Sequence, residues 1–199
     1  MNLVDQPWNI VFLVGFFLYM GIRYVYQKRT STEEKVHRQV DGAEKTILPF
    51  VLIGGLLIPF LYLLTPLLDR ANYRLPDYLP YVGSVVMLIA LWLFWRSHAD
   101  LGANWSISLE LRKGHRLVDH GVYRRVRHPM YAAIWLWNIA QVLLLQNWLA
   151  GWSALVSFAV LYAVRTPREE QMMCEAFGDE YRTYMKRTGR LFPRLGSRL

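Results

Sequence analysis

The chain of 199 residues contains a single cysteine, Cys174, and few charged residues. One thiol cannot form a disulfide or a multi-cysteine metal centre within one chain. Charged residues make up 19% of the sequence, whereas hydrophobic residues make up 54% and are gathered into long runs. This distribution is typical of a membrane protein rather than of a soluble domain with a large core.

Several common catalytic motifs are also missing. The sequence has no Walker loop, no G-x-G-x-x-G turn, no H-E-x-x-H pair and no serine elbow. No basic stripe is interleaved with stacking aromatic residues, so the net charge of +8 does not indicate nucleic-acid binding. We therefore predict neither a metal nor a nucleic acid as a partner.

Five apolar segments are long enough, or nearly long enough, to cross a bilayer. They cover residues 8–26, 47–68, 78–97, 129–145 and 148–164. Only Gln146 and Asn147 separate the last two, which predicts a tight helical hairpin. Pro49, Gly54 and Gly55 lie inside the second segment and predict an interrupted helix with a close neighbour.

The basic residues predict the orientation of these segments. Six lie in residues 23–45, seven in residues 96–127 and eight from residue 165 onward, so 21 of the 23 fall on one side. The positive-inside rule makes that side cytoplasmic, with the N-terminus outside. Asp5 precedes the first segment and no small-residue cleavage site follows it, so we expect a retained helix rather than a signal peptide.

A first polar motif, Arg-His-Pro-Met-Tyr at residues 127–131, opens the fourth segment. Pro129 suits the first position of a helix, because its missing N–H has no partner there in any case. A helix start attracts carboxylates and phosphates, and Arg127 adds positive charge beside it. Two other interpretations stay open, since Arg127 can anchor the chain at the headgroups and His128 can cap the turn.

A second polar motif, Arg-Thr-Pro-Arg-Glu-Glu at residues 165–170, follows the fifth segment. Arg165 either contacts a ligand or extends toward the membrane interface. Glu169 either faces a ligand or closes a capping box in which Thr166 is the N-cap of a new helix. The residues that follow have apolar side chains at helical spacing, which predicts an amphipathic helix along the interface that roofs a cavity.

These motifs together resemble the signature of the isoprenylcysteine carboxyl methyltransferases and their integral-membrane relatives. Similar stretches include Gly-His-Arg-Leu-Val at residues 114–118, Gly-Val-Tyr at 121–123 and Arg-Leu-Phe-Pro at 190–193. The whole chain looks like the compact prokaryotic members. The resemblance implies an all-α integral membrane fold with five transmembrane helices, a prokaryotic cell membrane and an active site that faces the cytoplasm. It also implies one domain over residues 1–199, with three helices in 1–98 and the catalytic region in 99–199.

The family's cofactor is S-adenosylmethionine, bound without a Rossmann domain. The resemblance implies an adenosine pocket lined by His115, Arg116, Leu117, Val118 and Tyr123. It implies that the methionine part is held by His128, Pro129, Met130 and Tyr131. Glu169 also faces the cofactor, and Arg165 binds the carboxylate of a prenylcysteine-like substrate that enters from the bilayer. Arg165 and Glu169 are therefore the expected catalytic residues.

Three other functions share parts of this pattern. Phospholipid N-methyltransferases use the same cofactor and deliver the methyl group to an amine. NADPH-dependent sterol reductases have a similar Glu-rich motif near the end of the chain but are usually longer. A lipid-binding membrane protein without catalysis is the remaining alternative, in which the pocket has lost its activity.

Overall fold

The computed structural model describes residues 6–30, 35–38, 42–102, 110–112 and 117–194. Helices dominate this part of the chain, as predicted: α1 (Pro7–Thr30), α2 (Gly42–Leu52), α3 (Ile58–Leu64), α4 (Leu79–Leu101), α5 (Pro129–Leu145), α6 (Trp148–Phe177) and α7 (Asp179–Arg187). Two short strands, β1 (Lys35–Arg38) and β2 (Glu110–Arg112), were not predicted and form an antiparallel ladder. The ladder pairs Lys35 with Arg112 and so joins the two basic loops that the positive-inside rule placed on one side.

Four helical stretches are long and apolar enough to cross a membrane: Pro7–Arg29, Ile47–Leu64, Leu79–Leu101 and Trp148–Phe177. The helix α5 is apolar but shorter, with 17 residues. Large hydrophobic side chains are exposed along the helices, such as Phe17 at 62% and Leu88 at 66%. Since so much exposed apolar surface would be unstable in water, the chain is a multi-pass membrane protein.

The second predicted segment is interrupted where its glycines predict it. A π-helical stretch, Ile53–Leu57, lies between α2 and α3. The hydroxyl of Ser153 on α6 donates to the carbonyl of Gly54 at 2.7 Å. A Cβ atom on Gly54 would lie 2.5 Å from the hydroxyl of Ser157, so only glycine allows this approach. The close neighbour that the sequence predicts is therefore α6, and it contacts Gly54.

The core lies where α1, α3, α4 and α5 meet. Phe12 on α1 contacts Trp137 on α5 with ring centroids 5.6 Å apart, and Tyr19 stacks on Phe94 at 4.2 Å. Lipid tails are as apolar as these side chains, so close packing and interhelical hydrogen bonds must hold the bundle together. One such bond runs from the side-chain amide of Gln141 to the carbonyl of Ala150, at 2.7 Å.

A two-residue turn connects α5 to α6. Gln146 adopts the left-handed conformation, with φ of 45°. The side chain of Asn147 accepts hydrogen bonds from the amides of Leu149 and Ala150, so it caps α6. The same side chain donates to the carbonyl of Leu68 at 2.7 Å. The turn therefore also anchors the loop that precedes α4.

The expectation that a new helix begins at Thr166 is wrong. The helix α6 continues from Trp148 to Phe177 with Pro167 in its interior, and Thr166 is buried within it. An interior proline removes one backbone hydrogen bond, which is why local sequence favours a break there. Both glutamates that follow it contact the start of α5, Glu169 through Tyr131 and Glu170 through His128. The break falls instead at Gly178, whose φ of 53° favours glycine.

Candidate active site

The two polar motifs of the sequence meet where α5 begins and the C-terminal half of α6 passes it. The hydroxyl of Tyr131 donates to Oε2 of Glu169 at 2.6 Å. Nδ1 of His128 lies 4.0 Å from Oε1 of the same carboxylate. Arg165 precedes Glu169 by one helical turn and so lies on the same side of α6. Glu169 thus lies inside a continuous helix, facing the start of α5, and is not a helix cap.

The start of α5 has the geometry that its sequence predicts. Pro129 is the first helical residue, and His128 precedes it in a non-helical conformation. The side chain of His128 makes no capping hydrogen bond, so the capping interpretation of this residue is wrong. Pro129 is buried and Met130 is half-buried beside it. The imidazole of His128 is directed instead toward the glutamates of α6.

Glu170 is the residue that sequence analysis left without a role. Its side chain is only 6% exposed, and it accepts hydrogen bonds from Nε of Arg127 at 3.0 Å and from Nη2 of Arg190 at 2.5 Å. Nε2 of His128 lies 3.3 Å from the same carboxylate. The hydrogen bonds to Glu170 raise the pKa of Arg190, whose guanidinium therefore remains charged. Two features of the sequence could have indicated this cluster, namely the adjacent Glu-Glu pair and the Arg-Leu-Phe-Pro stretch.

The side chain of Arg127 is only 9% exposed and makes structural contacts rather than extending to the headgroups. Its guanidinium donates to the carbonyls of Met185 and Thr188 as well as to Glu170. Its backbone amide donates to the carbonyl of Gly189 at 2.8 Å, and the amide of His128 donates to the carbonyl of Arg190. The C-terminal segment, residues 188–194, is thereby joined to the start of α5 through side-chain and backbone contacts.

A short 3-10 turn, Gly121–Arg124, carries Tyr123 into this region. The carboxylate of Asp100 accepts a hydrogen bond from the amide of Val122 at 2.8 Å. The hydroxyl of Tyr184 on α7 donates to the carbonyl of Tyr123 at 2.7 Å. Burial, and then the nearby charge of Glu169, raise the pKa of Tyr123 well above its usual value. Its hydroxyl therefore stays neutral at physiological pH.

We expect Gly121→Ala to destabilise the protein by roughly 1–3 kcal/mol, because it affects this turn in two ways. Gly121 has φ of 57°, and an added Cβ would lie 2.0 Å from Oδ2 of Asp100. Thermal unfolding in detergent measures the effect. Gly55→Ala is the matched control, since an added Cβ there would meet no atom within 4 Å. Equal unfolding temperatures for the two variants would contradict the role assigned to Asp100.

The remaining predicted cofactor residues lie on the connection between β2 and α5. Leu117 is half-buried, and Val118 is buried. His115 and Arg116 lie outside the described residues, so their predicted roles rest on the sequence. Within the described ranges, no group of three His, Cys, Asp or Glu residues is placed to hold a metal ion.

An aromatic wall, formed by Tyr131, Trp135, Phe158 and Tyr162, adjoins the polar groups. The ring of Tyr131 meets that of Tyr162 edge-on at 5.8 Å, and Trp135 meets Phe158 at 5.3 Å. Tyr131 contacts both the aromatic wall and the polar groups, because the ring of His128 stacks against it with centroids 5.4 Å apart. The site therefore changes from charged to apolar within the width of one side chain.

Comparisons with known proteins match this part of the chain. The model of the isoprenylcysteine carboxyl methyltransferase (ICMT) family matches residues 80–175. Protein-S-isoprenylcysteine O-methyltransferase A of Arabidopsis thaliana is 33% identical over 107 residues, which cover 52% of this chain and 50% of the relative. The corresponding protein of Schizosaccharomyces pombe is 30% identical over 111 residues, or 54% of this chain and 47% of the relative. The chain thus spans about half the length of the curated relatives that it matches.

A solved structure of the eukaryotic intramembrane Ras methyltransferase ICMT shares the fold. It aligns with a TM-score of 0.59 over 96% of this chain and 69% of that chain, at 21% sequence identity. The span matched by the family model contains α4, α5 and most of α6, together with the Arg-His-Pro-Met-Tyr and Glu-Glu motifs. Over residues 80–175, the chain is therefore similar in sequence to the isoprenylcysteine carboxyl methyltransferase family.

Proposed function

We propose that the protein transfers the methyl group of S-adenosylmethionine to the carboxylate of a prenylcysteine or a similar lipophilic acceptor. One observation carries the proposal: His128, Tyr131 and Glu169 meet beside an aromatic wall, and Arg165 lies one turn before Glu169 on the same side of α6. A charged donor and a lipid-linked acceptor require this combination of environments. The match to the family model and the names of the curated relatives support the same chemistry.

The donor side is the pocket around the start of α5. When bound, S-adenosylmethionine supplies an electrophilic methyl group on a sulfonium centre. The first turn of α5 presents backbone amides and a partial positive charge to the donor's carboxylate. Tyr123 and Val118, together with Leu117 and the predicted residues His115 and Arg116, line the adenosine part. Pro129 and Met130 border the methionine part.

Arg165 acts on the acceptor. A carboxylate is already ionised at neutral pH, so the reaction needs no general base. Catalysis then depends on aligning the attacking oxygen with the methyl group. The guanidinium of Arg165 binds both oxygens of a carboxylate in a fixed geometry. The aromatic wall beside it provides an apolar surface for the lipid chain, which approaches from the bilayer between α5 and α6.

We further propose five membrane crossings, with the active site on the cytoplasmic side of a prokaryotic cell membrane. In this arrangement α5 is the fourth crossing, although it has only 17 residues. The ladder between β1 and β2 supports a common side for the two basic loops. Hydrogen bonds between the start of α5 and residues 189–190 support the same side for the third basic region.

Ligand binding and product formation test the proposal. The protein in detergent is expected to bind S-adenosylhomocysteine and not NADPH, as measured by calorimetric titration. With a methyl-labelled donor, label is expected in a prenylcysteine acceptor and not in amine-lipid or thiol acceptors. Label in the amine lipid would favour a phospholipid N-methyltransferase, and binding of NADPH would favour a reductase. Binding of neither compound would contradict the proposed activity.

A further inference from the structure

We propose that Asn138 and Gln141 on α5 bind a hydroxyl group carried by the chain of the lipophilic acceptor. The acceptor is then an oxygenated lipid rather than a plain hydrocarbon chain. The inference rests on the proposed function, since it concerns the acceptor of the same reaction. It accounts for two buried polar atoms that the contacts of the described bundle leave unpaired.

Both side chains are enclosed in the middle of α5. Asn138 is 2% exposed and Gln141 is fully buried. Nδ2 of Asn138 and Oε1 of Gln141 have no hydrogen-bond partner within the part of the chain that the structure describes. An unpaired polar group in apolar surroundings is costly, more so where no water can reach it. A ligand that pairs with both atoms therefore gains binding energy that a plain hydrocarbon chain cannot.

The orientation of Gln141 is fixed by a contact with α6. Its Nε2 atom donates to the carbonyl of Ala150 at 2.7 Å, so the unpaired atom is the oxygen, which only accepts hydrogen bonds. The unpaired nitrogen of Asn138 only donates. Residues three apart on a helix are neighbours, with Cβ atoms about 5–6 Å apart. One donor and one acceptor are thus presented to the same small region.

A hydroxyl group complements this pair with a single oxygen atom. It accepts a hydrogen bond from Asn138 and donates one to Gln141. A carbonyl or ether oxygen cannot donate, and an ammonium group cannot accept. A charged group is further disfavoured by the cost of burial. The neutral hydroxyl is therefore the chemistry that both side chains recognise.

The aromatic wall leads to this pair along α5. Trp135 precedes Asn138 by three residues, and its ring meets Phe158 at 5.3 Å within the wall. The rise of a helix places Asn138 about 10 Å along α5 from Tyr131, which contacts the polar groups of the site. A chain that follows the wall away from those groups reaches Asn138 after this distance. This continuity favours the acceptor chain over an isolated water molecule as the source of the hydroxyl.

The facing stretch of α6 has small side chains. The contacts of Phe158 and Ala150 with α5 lie on either side of Ala154, which is level with Asn138 in this antiparallel pair. Ala154 is buried, at 4% exposed. A methyl group there, in place of a longer side chain, is compatible with a lipid chain between the two helices.

The test compares N-acetyl-S-geranylcysteine with an analogue that carries a hydroxyl group at the far end of the geranyl chain, together with the corresponding farnesyl pair. Methyl transfer from a labelled donor in detergent gives kcat/KM for each compound. The parent is expected to prefer the hydroxylated member of at least one pair by about tenfold or more. In Asn138→Leu the ratio is expected to fall to one or below, through KM rather than kcat.

Ile139→Leu is the control, since Ile139 is the next residue of α5 and is 42% exposed, and it should keep the ratio of the parent. If the parent methylates both members of each pair equally well, the inference is overturned and the proposed function stands. An unchanged ratio in Asn138→Leu has the same meaning. Methyl transfer to none of the four compounds would overturn both.

Thermal unfolding in detergent gives a second measurement that needs no methyl donor. Asn138→Leu is expected to unfold at a higher temperature than the parent when no acceptor is present, because it removes an unpaired buried amide at similar volume. The hydroxylated compound is expected to raise the unfolding temperature of the parent more than its hydrocarbon counterpart does. A variant that unfolds at a lower temperature, or does not fold, would show that this amide is paired within the protein and would overturn the inference.

Discussion

Replacing Arg165 with lysine is expected to lower turnover on a prenylcysteine acceptor by about a hundredfold or more, with little change in the affinity for S-adenosylhomocysteine. Lysine keeps the positive charge but presents a single point of attachment. It therefore cannot hold both oxygens of the acceptor carboxylate, and the attacking oxygen loses its alignment with the methyl group. Methyl transfer at saturating donor, together with titration of S-adenosylhomocysteine, measures the two effects separately.

The matched control is Arg182→Lys, on α7. Arg182 is an exposed arginine that pairs with Asp179 at 2.9 Å on the protein surface, and we expect its replacement to leave turnover unchanged. Equal turnover of Arg165→Lys and the parent would contradict the assignment of Arg165 to the acceptor. A parallel loss of S-adenosylhomocysteine binding would move Arg165 to the donor side of the site.

Replacing Arg127 with methionine is expected to destabilise the protein by about 3–5 kcal/mol. Methionine has a similar length, but it leaves the buried carboxylate of Glu170 without one of its two guanidinium partners. It also removes the donors that contact the carbonyls of Met185 and Thr188. Unfolding in detergent, followed by circular dichroism, measures the loss.

Arg124→Met is the control, since Arg124 is exposed and lies only three residues before Arg127, and it should unfold like the parent. The double variant Arg127→Met/Glu170→Gln should be less unstable than the sum of the single variants, because the unpaired charge is gone. If Arg127→Met unfolds at the same temperature as Arg124→Met, the cluster around Glu170 does not hold the C-terminal segment in place.

Much of the fold follows from local features of the sequence. The helix α5 begins and ends at the predicted residues, because a proline preceded by polar residues starts an apolar run that Gln146 ends. The interruption near Gly54 follows in the same way from a glycine within an apolar segment. Hydrophobicity, proline and glycine act on their immediate neighbours, so a pattern of residues is sufficient to predict their effects.

Contacts between residues that lie far apart in the sequence are harder to predict from such patterns. Glu170 pairs with Arg127 and Arg190, which lie 43 and 20 residues away, and no local spacing identifies either partner. Pro167 lies inside a continuous helix although local sequence favours a break there, and the two glutamates after it contact the start of α5. The amino-acid sequence by itself determined the apolar segments, the basic side and the two motifs. Only the tertiary structure decided which glutamate faces the pocket and which is buried, because ion pairing depends on distances that the folded chain alone defines.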